Sequence, residues 1–69
     1  MKDWLLPIFA TKQARSGGIV RRKINDVLKY GSVLELKDEV RERGWHLIQV
    51  ADQFVVICHT GPVKLLVHH

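Results

Sequence analysis

Two histidines and a run of five basic residues are the side chains of this 69-residue sequence that could do chemistry. His46 and His59 stand at the outer ends of two apolar runs, residues 45–51 and 54–59, which read as strands joined by Asp52-Gln53. With a two-residue loop there, Ala51 faces Phe54, Gln49 faces Val56, Leu47 faces Cys58, and His46 faces His59. Cβ atoms of such a direct cross-strand pair lie about 5 Å apart. Two imidazoles at that spacing could share a metal or act as acid and base. Zinc takes three or four protein ligands, however, and Glu35, Asp38, Glu39 and Glu42 fall on a solvated helix face instead of beside the pair. His46 and His59 are therefore kept as candidate catalytic residues, with sheet-end structural histidines as the simpler reading. The sequence offers no metal site and no cofactor motif.

The basic run is the better candidate. Lys12, Arg15, Arg21, Arg22 and Lys23 lie within twelve residues that hold no acid. Side chains of this kind neutralise phosphates and release counterions, so they bind nucleic acid without reading its sequence. Residues 1–30 carry seven basic side chains against two acids, a net +5, and residues 31–69 carry four against five, a net −1. The basic character belongs to the first half, and a localised basic surface says more than a high isoelectric point. Aromatic residues for stacking bases are missing from this run, and the few aromatics belong by their positions to the core or to the N-terminal arm. The helix carries both signs of charge, which argues against a major-groove reader.

These residues must be positioned by one small domain, residues 1–69, with no room for a second core. A chain of this length buries only about 60% of the surface that its unfolded form exposes, so its margin of stability is thin. Cys58 is the single cysteine, which excludes a disulfide framework and a thiolate zinc site and fits a reduced, cytoplasmic setting. Amid apolar neighbours it reads as a small hydrophobe. Residues 1–10 form an apolar arm, broken by Pro7 and preceded by Asp3. It is too short for a secretory signal or a membrane span, so no membrane partner is expected.

Residues 11–18 (TKQARSGG) read as a flexible basic loop, and residues 19–69 as an α+β core. Within that core, residues 19–24 read as an edge strand whose charges discourage unwanted pairing. Residues 25–30 are ambiguous between a helical turn and an irregular connection. Ser32-Val33-Leu34-Glu35 matches a capping box, Val33, Leu36 and Val40 form one apolar stripe, and Gly44 can close the helix. Glu39 and Arg43 are spaced for an i, i+4 ion pair. A third strand over residues 63–67 completes a meander. The expected order is β-α-β-β-β, one helix packed on a small, mainly antiparallel sheet. The unbroken apolar run Phe54-Val55-Val56-Ile57-Cys58 predicts a central strand buried on both faces. One helix covers one face, so the other needs either the arm at residues 4–9 or a second copy. A homodimer through the sheet or the N-terminal arm is the expectation.

Over residues 36–69 the chain resembles HicA-type toxins, small messenger-RNA ribonucleases with a double-stranded-RNA-binding-like fold. The features that carry this are the helix ending Arg43-Gly44-Trp45, the strand Leu47-Ile48-Gln49-Val50, a strand reaching Cys58-His59, and a short last strand. The resemblance implies a ribonuclease with His59 where a second family histidine tends to fall. The family's working histidine lies in a Gly-Ser-His turn between the first two strands. Here that turn is Ala51-Asp52-Gln53, so no catalytic residue carries over, and the first thirty residues have no counterpart. The reading of the whole is a module that binds RNA or DNA through its basic loop and edge strand. The alternatives are a HicA-like ribonuclease using His59, and a protein-interaction module anchored by the arm at residues 4–9. His68 and His69, at the end of the chain, are set aside.

Overall fold

A computed structural model describes residues 2–64, 66 and 67. A short 3-10 turn (Asp3–Leu5) leads into α1 (Leu6–Phe9) and α2 (Lys12–Arg15). Strand β1 (Ile19–Lys23) is followed by α3 (Ile24–Tyr30) and α4 (Val33–Glu42), then by β2 (His46–Val50) and β3 (Gln53–Ile57). The three strands form one antiparallel sheet in the order β1-β3-β2, so the α+β class holds and the apolar run is the central strand.

Helix α4 forms because its sequence fixes both ends. Glu35 N–H donates to Ser32 Oγ at 3.1 Å, and the serine hydroxyl donates to Glu35 Oε1 at 3.2 Å, so the box side chains serve the first turn. At the other end Trp45 N–H reaches Val40 O and Gly44 N–H reaches Arg41 O, each at 3.0 Å. Those two bonds make a Schellman closure, and Gly44 supplies the left-handed residue it requires, at φ +72°. The stripe between the caps packs inward, with Leu36 and Val40 buried and Val33 against their cluster.

The helical layer is larger than the single helix expected. Residues 24–30 resolve as α3, which buries Val27. The arm folds into the turn and α1, and its Leu5, Ile8 and Phe9 join the core formed by Val20, Leu36, Val40, Phe54 and Val56. Of the two covers considered for the second sheet face, the arm is excluded: it packs on the same side as α4. Alternation along an extended chain makes this legible, because Val20, Phe54, Val56 and Leu47 share the covered face. The other face presents Ile19, Ile48 and Val50, exposed at 51%, 39% and 53%, around Val55 and Ile57.

Two further expectations change. Among the described residues of 63–67 there is no strand, and Leu65 lies outside the described residues, as do His68 and His69. The free side of β3 is taken by β1 instead, from Ile19 opposite Ile57 to Lys23 opposite Gln53. The hairpin register also moves by two: Val50 faces Gln53, and His46 faces Ile57 instead of His59. A slip of two preserves every side chain's face, so the apolar pattern cannot distinguish the two registers. The loop is Ala51-Asp52, with Ala51 held at φ 53°, where a side chain costs about 1–2 kcal/mol. Asp52 O accepts the Ile24 N–H at 2.9 Å, which anchors this turn to the start of α3.

Candidate nucleic-acid interface

The basic run divides between two elements. Residues 11–18, expected as a loop, contain a capped helical turn: Ala14 N–H donates to Thr11 Oγ1 at 3.1 Å, and Thr11 Oγ1 donates to Ile8 O at 3.2 Å. Gly18 N–H returns to Gln13 O at 2.7 Å, and Gly18 O accepts from Cys58 N–H at 3.0 Å. The turn is therefore fastened to both β1 and the end of β3. Lys12 and Arg15 stand exposed on it, at i, i+3.

On β1 the strand alternation separates the other three. Arg21 and Lys23 point from the open face, opposite Val55 and Gln53, and both are exposed. Arg22 lies on the helix side, opposite Phe54. Its guanidinium donates to Pro7 O and to Arg21 O, each at 2.7 Å, so it is held at the strand edge and oriented by backbone carbonyls. Arg21 and Arg22 nonetheless line one groove of about 220 Å³ between α2 and β1, with Thr11, Gln13, Ile19 and Val20. That lining holds two guanidinium groups and no carboxylate.

The acids are gathered elsewhere. Glu35, Asp38, Glu39 and Glu42 of α4 line a separate groove with Lys2 and Leu5, a surface that repels phosphate. Arg43, at the end of α4, pairs with Glu39 at 2.8 Å and lies over the rings of Phe9 and Trp45, at 4.9 and 5.2 Å from their centroids. It knits the arm to the α4–β2 junction and belongs to the fold.

A third recess lies between the arm and α3. It encloses about 250 Å³, floored by Ile8 and Val27, walled by Trp4, Pro7 and Tyr30, with Arg22 and Asp26 also on its lining. Trp4 sits directly over Gly31 and donates its Nε1–H to Glu35 Oε2 at 3.2 Å. Tyr30 is 64% exposed, and the Lys29 ammonium lies 5.4 Å from its ring centroid. The sequence named Trp4 only within the arm of the interaction alternative and gave no sign that it meets Asp26 and Tyr30. The available signal was Tyr30 beside Lys29 on a segment left ambiguous.

His46 and His59 remain close despite the shifted register. Their ring centroids are 6.0 Å apart in an edge-to-face arrangement. Both engage the backbone of Gly61: His46 Nε2 bonds Gly61 O, and Gly61 N–H donates to His59 Nδ1 at 3.1 Å. Accepting at Nδ1 places the ring proton of neutral His59 on Nε2. The pair thus pins the chain after β3 to the first residue of β2. No group of three His, Cys, Asp or Glu side chains gathers for a metal among the described residues. Cys58 is buried, and desolvation raises its pKa, with the positive charge of Arg43 as a smaller opposing influence. Its thiol stays protonated at neutral pH and is no nucleophile.

No family model matches this chain, and no curated protein or solved structure matches it either.

Proposed function

We propose that this protein binds nucleic acid along the edge formed by α2 and β1, through phosphate contacts from Lys12, Arg15, Arg21, Arg22 and Lys23. The observation that carries the reading is the segregation of charge. A groove with two arginines and no carboxylate lies between α2 and β1, while four acids line a groove of their own on α4. A fastened helical turn and a sheet edge fix the backbone that carries these cations, and Arg22 is also oriented by Pro7 O and Arg21 O, which lowers the ordering required on binding.

Anisotropy of a labelled oligonucleotide, titrated with protein at a series of salt concentrations, tests this. Affinity is expected to fall steeply with salt, and an Arg15→Ala, Arg21→Ala, Lys23→Ala variant should flatten the log–log slope by about two to three. All three side chains are exposed, so the variant keeps its fold. Absence of any binding at low salt refutes the proposal.

The catalytic and arm-anchored alternatives gain less support. Both histidines are occupied with Gly61, and three of the arm's apolar side chains lie in the chain's own core. The open sheet face favours one additional reading, that a second copy covers the exposed Ile19, Ile48 and Val50. Exposed apolar side chains grouped on one half of a sheet face, with Arg21 and Lys23 on the other half, mark a candidate interaction surface. Sedimentation should then show a dimer that an Ile48→Lys, Val50→Lys variant converts to monomer. A wild-type monomer throughout the micromolar range rules it out.

A further inference from the structure

We infer that the recess between the arm and α3 takes an unstacked nucleobase, which makes the preferred ligand single-stranded. This rests on the nucleic-acid reading above and specifies it. Three features of the recess argue for that occupant. Its volume, about 250 Å³, lies just under the ~300–1,000 Å³ of sites for drug-sized ligands, so it suits one planar ring system. Its walls are the indole of Trp4, the ring of Pro7 and the phenol of Tyr30 over an aliphatic floor, surfaces on which a base's π-face packs in any sequence. Charge complementarity supplies the third: Arg22 lines both this recess and the arginine groove beside α2. A backbone running along that groove passes the mouth of the recess, and its base can turn in while its phosphate stays on Arg22.

Two further charges lie on or beside the lining, Asp26 on it and Lys29 against Tyr30. Lys29 stands over Tyr30 and adds a second cation on the α3 side. The Asp26 carboxylate repels phosphate from the interior, leaving the apolar interior for the base. Because Trp4 and Arg22 are each already hydrogen-bonded within the chain, the stacking wall and the phosphate contact are formed before the ligand arrives. A duplex cannot offer a base to the recess without unpairing, so it engages only the basic edge.

The test compares a mixed-sequence single-stranded oligonucleotide with its duplex, using wild type, Tyr30→Ala and Tyr30→Phe. Tyr30 is exposed, and unchanged thermal melting of the variants checks that the fold is retained. The inference expects tighter binding of the single strand by wild type, a roughly ten-fold loss for that strand in Tyr30→Ala, and no loss for the duplex. Tyr30→Phe, which keeps the ring, should bind like wild type, and the salt slope should be the same in all three. If both ligands bind equally and Tyr30→Ala changes neither, the base site is refuted while the basic edge stands. Quenching of Trp4 by an aromatic peptide, with no response to any oligonucleotide, overturns the inference and the underlying reading together.

Discussion

Leu36→Ala is expected to lower the unfolding free energy by about 2–5 kcal/mol, because it empties a site that admits no solvent and that the surroundings can only partly refill. Leu36 is 0% exposed and lies where α4, the arm and the sheet share one apolar cluster. A domain of this length has roughly 3–10 kcal/mol to lose, so the substitution removes from about a fifth of it to all of it. Urea unfolding gives the free energy, and reaction of the Cys58 thiol gives a second probe. That thiol is buried and protonated in the folded chain, so its labelling rate reports how often the core opens. Leu34→Ala, two residues away and 67% exposed, should shift stability by about 0.5 kcal/mol or less. Equal effects at the two positions would mean that α4 does not face the sheet as described.

Gly31→Ala is the second large effect. Gly31 has extended backbone at φ −164°, which any residue adopts, so the need for glycine is spatial. A Cβ there would fall onto the indole of Trp4, against Cε2, Cζ2 and Nε1. The indole must leave, its bond to Glu35 breaks, and the wall of the recess goes with it. Overpacking of this kind typically costs about 1–3 kcal/mol. Acrylamide should quench the tryptophan emission more strongly, and single-strand affinity should fall with it. A double-mutant cycle identifies the cause: in a Trp4→Ala background the stability cost of Gly31→Ala should largely disappear. Additive effects would place the clash elsewhere.

Parts of this molecule were legible in the sequence for identifiable reasons. Helix α4 has a start signal, a stripe and a stop signal that agree, and consistency of that kind leaves a segment few alternatives. The central strand declared itself by having no polar residue between Phe54 and Cys58. The arm was harder, since Asp3–Leu5 and Leu6–Phe9 are too short for helical periodicity to emerge, and only the core they join holds them in shape. The partner of β3 was missed because residues 63–67 look as strand-like as residues 19–23, and local pattern says nothing about which of two runs is adjacent in space. The five cations were visible as a sequence cluster. The recess was not, because Trp4 and Tyr30 meet only through the packing of the arm against α3.

The strand order has a consequence for how the chain is made. The middle of the sheet, Gln53–Ile57, is the last of the three strands to be synthesised, while the arm and β1 come first. A nascent chain ending at Val50 holds both edges of a sheet with nothing between them, and Leu5, Ile8, Phe9 and Val20 lack Phe54 and Val56 of their core. Pairing β1 with β3 closes a loop of some thirty residues or more, from Lys23 to Gln53 and from Ile19 to Ile57, whereas the β2–β3 hairpin closes locally. The early portion of the protein therefore lacks the strand that joins its two sheet edges. Its apolar arm gains its full set of core partners only when Gln53–Ile57 has been made.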